Sequence, residues 1–265
     1  MCGVTAPIIP KIKEYIKNSS TILITNIDYA TENFQEGFRR PRDFYEAFKV
    51  ADFVFCQDPA NTKFANFLFK THMKLKKKAW LVPHPCDMEL KKFKIDYDQR
   101  IDNIAVMYHR YRNELLLPSM ISWGLKYPTI LFGLVRGNIP VGLFHYTAAM
   151  LPWGKYFYQL AHCSIALDYI SLYHCLGRYP METACLGIPT VTTNRIYMGQ
   201  KLFPMVCHDP MDFEGLRGSL QKLIDDEEFY HEVADYAYEQ VENFNHENSR
   251  KRLLKAIEEA GLSIG

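Results

Sequence analysis

At 265 residues, 48 % of them hydrophobic and 23 % charged, the chain is long enough to bury a core as one large domain or as two small ones. Its 31 basic and 30 acidic side chains cancel to a net charge of +1, so no global field draws it to nucleic acid. No apolar run reaches the roughly 18 residues that span a bilayer, because Lys126 and Arg136 interrupt the most hydrophobic region, and the N-terminus lacks a basic-then-apolar signal layout; the expected location is the cytoplasm.

Strand-length apolar runs recur at residues 21–27, 51–56, 79–83, 103–108, 129–134, 164–168 and 190–193, and helix-period stretches lie between several of them, at 61–77, 153–162 and 180–186. Strands alternating with helices, each strand apolar on both faces, predict an α/β protein with parallel sheets covered on both sides. The polar stretch 91–100 has the composition of a linker and divides the chain into a first domain, 1–100, and a second, 101–245. The charged, helix-forming tail places Asp225, Asp226, Glu227 and Glu228 at one start and Arg250, Lys251, Arg252 and Lys255 towards its end, as the helix dipole prefers. Its last part, 246–265, is expected to pack back across the molecule.

Other features have a plain reading beside a functional one. Cys2, Cys56, Cys86, Cys163, Cys175, Cys185 and Cys207 are odd in number and never in a CxxC spacing, which suggests neither a disulfide framework nor a zinc site. Asp96 and Asp98 form an Asp-x-Asp pair without further ligands nearby, so no metal is assigned. The helical stretch from residue 61 carries Phe64, Phe67, Leu68 and Phe69 and then Lys74, Lys76, Lys77 and Lys78. Such a segment suits peripheral contact with an anionic membrane; the preferred reading is a surface helix whose lysines complement its C-terminus.

Most chemistry is concentrated in residues 156–193, YFYQLAHCSIALDYISLYHCLGRYPMETACLGIPTVTT. The order is helix, strand, loop, short helix, strand. Pro180 suits the first helical position and Gly187 the left-handed position past the end. A loop holding Gly177 that opens into a helix after a parallel strand presents free N–H groups and a positive dipole end to a phosphate, and Arg178 adds a guanidinium.

The order Gly177-Arg178, Glu182, Gly187-Ile188-Pro189 and then a β-rich run resembles the C-terminal domain of the GT-B glycosyltransferases of family 4. The likeness runs over roughly residues 20–255 and is strongest at about 155–225. Residues 51–56 and 81–87 resemble the end of that family's N-terminal domain, of which only about three strands fit, so the N-terminal domain is abbreviated. The resemblance implies two Rossmann-like parallel-sheet domains and transfer of a sugar from a nucleoside diphosphate sugar to an acceptor hydroxyl. The acceptor would be a carbohydrate or lipid-linked; the reaction would retain configuration and need no metal or other cofactor. Glu182 matches the family's second motif glutamate, which binds the ribose hydroxyls, while the first is replaced by His174; both are candidate catalytic residues. The donor is assigned to Arg110, Arg112, Gly177, Arg178, Tyr179, Met181, Glu182 and Thr183, with base contacts from the backbone around 135–144. A competing reading is a catalytically reduced nucleotide-binding subunit that works with a partner or as an oligomer.

Overall fold

The computed structural model describes residues 9–17, 21–27, 41–108, 116–133, 146–149 and 151–263. They fall into two compact units, the first comprising Met1–Pro85, Leu172–Leu176 and His246–Gly265, the second Cys86–Ser171 and Gly177–Asn245.

In the first unit, helix α1 (Ile9–Tyr15) precedes strand β1 (Ile24–Ile27), α2 (Pro41–Val50) leads to β2 (Phe53–Cys56), and α3 (Pro59–Thr71) to β3 (Ala79–Leu81). The three strands are parallel in the order β1-β2-β3, with Ile24 opposite Phe53 and Val54 opposite Ala79. Phe48, Val54, Ala65, Phe69 and Ala79 close a core between sheet and helices. Asp58 caps α3 by accepting from the Asn61 amide at 2.9 Å, and Pro59 fills the first turn where its missing N–H costs nothing. The helix stops at Thr71, earlier than its sequence pattern predicts, so Lys74, Lys76, Lys77 and Lys78 follow the helix instead of extending its face. Lys77 is occupied: its Nζ donates to the carbonyls of Phe48 (3.0 Å) and Lys49 (2.9 Å) at the end of α2.

The second unit holds β4 (Ile101–Tyr108), α4 (Leu116–Ser122), β5 (Thr129–Gly133), β6 (Tyr146–Ala149), α5 (Trp153–Ala161), β7 (Cys163–Asp168), α6 (Arg178–Cys185), β8 (Thr190–Thr193), α7 (Tyr197–Leu202), β9 (Cys207–His208), α8 (Phe213–Asp225) and α9 (Glu227–Gln240). All six strands are parallel, in the order β6-β5-β4-β7-β8-β9. The chain thus starts at the centre, winds outward through β5 and β6, and crosses back to lay β7 on the other side of β4. This is the 3-2-1-4-5-6 order of a doubly wound sheet, whose ligands bind outside the carboxyl ends of the strands where the winding reverses, here between β4 and β7. The two central strands are buried as that architecture requires: all six residues of β7 are inaccessible, as are Ile104, Ala105 and Val106 of β4.

Residues 86–100 belong to this unit and are not a free linker. Cys86 donates its amide to Phe244 at 2.7 Å, Lys91 Nζ reaches the Tyr238 carbonyl at 3.1 Å, and the Tyr97 ring lies 4.7 Å from that of Tyr230. The chain first passes from one unit to the other at Pro85–Cys86. At the far edge, His208 Nε2 is 2.7 Å from Ser219 Oγ and Nδ1 is 3.3 Å from Asp212 Oδ2. Asp212 also caps α8 on the Gly215 amide at 2.9 Å, so these contacts tie β9 to its helix.

Helix α10 (His246–Glu259) returns to the first unit, where Ala256 and Ile257 pack with Phe53 and Val82. The charged tail is therefore two helices, α9 and α10, separated by a 3₁₀ turn at Val241–Phe244. Among the described residues no helix is long and apolar enough to cross a membrane.

Candidate functional site

At the winding reversal, β7 ends on Asp168 and the chain re-enters the second unit at Gly177, which opens α6. Gly177 is held at φ 83°, a left-handed conformation that costs an L-residue about 1–2 kcal/mol. A Cβ there would come within 2.2 Å of Ile196 Cγ2, so only glycine fits. No side chain caps α6. The amides of Gly177, Arg178 and Tyr179 therefore have no intrahelical acceptor and lie at the positive dipole end. Pro180 occupies the third helical position, where the sequence suggested the first; either lies in the turn that needs no donor.

The far end of α6 is closed tightly. Ile188 N donates to the Thr183 carbonyl at 2.9 Å and Gly187 N to that of Ala184 at 3.1 Å, with Gly187 at φ 66°, which is the Schellman arrangement expected from the Gly-x-Pro turn. Arg100 adds a fork to the same end through the carbonyls of Gly187 and Leu186, each at 2.8 Å.

Between these ends sits Glu182. Its Oε2 accepts from the Tyr156 hydroxyl of α5 at 2.9 Å. Burial pushes this carboxyl above the usual range; the Tyr156 hydrogen bond and the charge of Arg178 pull it down, and Asp168 pushes it up. Arg178 is exposed at the first position of the helix. Three other residues assigned to the donor turn inward: Tyr179 (1 % exposed) donates to the Ala105 carbonyl at 3.2 Å, Met181 is buried, and Thr183 Oγ1 donates to the carbonyls of Tyr179 and Pro180. The side chains of Tyr179, Met181 and Thr183 thus serve the core, and of their backbone amides only that of Tyr179 lies in the open first turn.

No protein-family model matches the chain, and no curated protein matches it. Solved structures do. The N-terminal domain of trehalose-6-phosphate phosphatase from Candida albicans superposes with a TM-score of 0.73 at 9 % identity, covering 96 % of this chain and 69 % of that one. HepE of Anabaena, solved with UDP and glucose, gives 0.70 at 13 % identity over 96 % and 76 %. A UDP-forming α,α-trehalose-phosphate synthase from Burkholderia xenovorans gives 0.72 at 10 % identity over 97 % and 72 %. The fold is that of the GT-B glycosyltransferases.

Within that GT-B fold, the structure brings Gly177, Arg178 and Glu182 onto one short helix at the reversal point. His174 lies in Leu172–Leu176, which belongs to the first unit, where its charge acts on the buried carboxyl of Asp58. Asp58 is pushed up by burial, opposed by hydrogen bonds from Asn61 and by His174. Arg110, Arg112 and the loop 135–144 lie outside the described residues. Asp96 and Asp98 are exposed, and among the described residues no group of three or more His, Cys, Asp or Glu gathers as a metal site would. Sequence reasoning missed Tyr156, which stands in an aromatic run, Tyr156-Phe157-Tyr158, that reads as core packing; only its distance to Glu182 marks it. It also missed Asp168, whose position as last residue of the central strand β7 was the available signal.

Proposed function

We propose that the protein is a glycosyltransferase that moves a sugar from a nucleoside diphosphate sugar to an acceptor hydroxyl, with retention of configuration and without a metal. The observation that carries this reading is Glu182 one turn into the Gly177-led helix at the winding reversal of the second unit. A carboxylate there suits a vicinal diol such as the ribose of a nucleotide, while the open N-terminus of α6 and the Arg178 guanidinium suit the diphosphate. Solved structures of the same fold support the choice of donor: HepE was crystallised with UDP and with UDP-glucose.

The nucleoside diphosphate is the leaving group. Negative charge grows on its bridging oxygen as the glycosidic bond breaks, and preorganised amides and a guanidinium stabilise that charge more than they stabilise the ground state. The assignments of Arg110 and Arg112 to the diphosphate and of His174 to the donor sugar rest on the sequence resemblance.

Incubation with UDP-glucose and a panel of hydroxyl acceptors, in the presence of EDTA, tests the reading. Acceptor-dependent release of UDP, with the new glycoside of the same anomeric configuration by NMR, is expected. Nucleotide binding without turnover for any acceptor would refute the transferase reading and favour a nucleotide-binding partner subunit, to which the replacement of a motif glutamate by His174 already points.

A further inference from the structure

Glu182 is the only carboxylate of α6, and titratable groups from several elements surround it. Tyr156 donates to it from α5, Arg178 attracts it from the preceding turn, Asp168 repels it from the end of β7, and the Tyr179 phenol and Cys86 thiol are within electrostatic reach. Among the described residues, Tyr156 is its one hydrogen-bond donor.

The tyrosine is itself firmly placed. Its ring meets Phe157 edge-on at 4.8 Å and Phe132 edge-on at 6.1 Å. Burial, reinforced by the charge of Glu182, pushes its phenol well above the ordinary tyrosine range. The proton therefore stays on Oη and the hydrogen bond runs in one direction, from tyrosine to carboxylate.

We propose that Tyr156 is a positioning residue for the donor site: its hydroxyl binds Oε2 of Glu182, holds that carboxylate in one rotamer, and leaves Oε1 to accept from the ligand's diol. This rests on the reading of α6 as the donor helix. It adds to that reading a reason why a carboxylate desolvated beside Asp168 stays an acceptor. Without the Tyr156 hydroxyl, burial and Asp168 act on Glu182 against Arg178 alone, so the carboxyl takes up a proton at higher pH and loses the charge that a diol seeks. The aromatic packing does not need the hydroxyl, so Tyr156→Phe removes the hydrogen bond and keeps the ring.

The test uses the full chain and UDP as probe. Calorimetric titrations from about pH 5 to about pH 9 compare wild type, Tyr156→Phe, Glu182→Gln and the double variant. In parallel, the Glu182 carboxyl is followed by carbon NMR without nucleotide in wild type and Tyr156→Phe. Tyr156→Phe is expected to bind UDP about tenfold more weakly at neutral pH, the loss of one charge-assisted hydrogen bond. Its acid limb of binding moves to higher pH, and the double variant is no weaker than Glu182→Gln alone. The NMR titration of Glu182 moves up in Tyr156→Phe. Unchanged UDP affinity with an unchanged acid limb would overturn the proposal, and so would an unmoved Glu182 titration. Failure of wild type to bind UDP would instead remove the UDP-donor reading, and the NMR titration alone then decides whether Tyr156 governs Glu182.

Discussion

Arg100 Nη1 donates to the carbonyl of Gly187 at 2.8 Å, although 87 residues separate the two in the chain. Nη2 takes the neighbouring carbonyl of Leu186 at 2.8 Å, and Nη1 also meets the Tyr230 hydroxyl at 2.6 Å, which in turn donates to the Ser164 carbonyl at 2.8 Å. One guanidinium at the entry to β4 thus ties down the C-terminal end of α6, α9 and the start of β7, and with them the helix that carries Glu182.

Arg100→Ala is expected to lower unfolding stability by roughly 2–3 kcal/mol, since it strips charged donors from half-buried carbonyls. Arg100→Lys is expected to recover only part of it, because an ammonium cannot span two carbonyls as the planar fork does. Urea unfolding of the three proteins checks this; equal midpoints for wild type and Arg100→Ala would show that water replaces the fork at no cost.

Gly177→Ala forces a Cβ into the space of Ile196 Cγ2 and places alanine at φ 83°. The dihedral alone costs about 1–2 kcal/mol, and the clash adds to it. In an Ile196→Ala background the clash is relieved, so the same Gly177→Ala change is expected to cost only the dihedral part. A double-mutant cycle by chemical denaturation measures the difference; strict additivity would mean that Ile196 does not set the glycine requirement.

How much of this was legible follows from the range of each interaction. The two ends of α6 could be read because Gly177, Gly187 and Pro189 report local backbone geometry. The seven strand runs were apparent because buried parallel strands are continuously apolar. Strand β6 (Tyr146–Ala149) was not, since Tyr-Thr-Ala-Ala is short and barely apolar, and β9 has only two residues. The stretch 91–100 looked like a linker because charge-rich composition does not say where the charges go. Lys91 and Arg100 reach backbone carbonyls 147 and 87 residues away, and neither separation leaves a periodic trace. Tyr156 and Glu182, 26 residues apart, are hidden for the same reason.

The raised pKa of Glu182 makes a prediction about the protein without ligand. An acid whose folded-state pKa lies above its unfolded value, about 4.3 for glutamate, binds more protons folded than unfolded, so its contribution to stability falls as pH rises from the unfolded value to the folded one. Glu182→Gln is therefore expected to melt higher than wild type above that window, with the gap opening as pH rises through it. Asp58 shifts in the same direction but is common to both proteins and cancels. Melting curves from about pH 4 to about pH 8 check this; a gap that closes with rising pH would contradict it.

Cys86 Sγ and Cys185 Sγ lie 3.4 Å apart in the interior of the second unit, and their hydrogen bond, together with burial, pushes the Cys86 thiol far above the usual range. A neutral, inaccessible thiol is a poor nucleophile. Iodoacetamide labelling of the native protein followed by peptide mass spectrometry is expected to leave both unmodified, and to label both after unfolding. Native labelling of either would mean that α6 opens readily.

The most direct measurement is nucleotide binding, read as thermal stabilisation of the full chain by UDP and by UDP-glucose, with Glu182→Ala as control. A ligand at 100 times its dissociation constant adds about 2.7 kcal/mol to the folded state. Stabilisation of wild type that vanishes in Glu182→Ala is expected. Equal stabilisation of both proteins would place the nucleotide elsewhere, and none for either would contradict a donor site on α6.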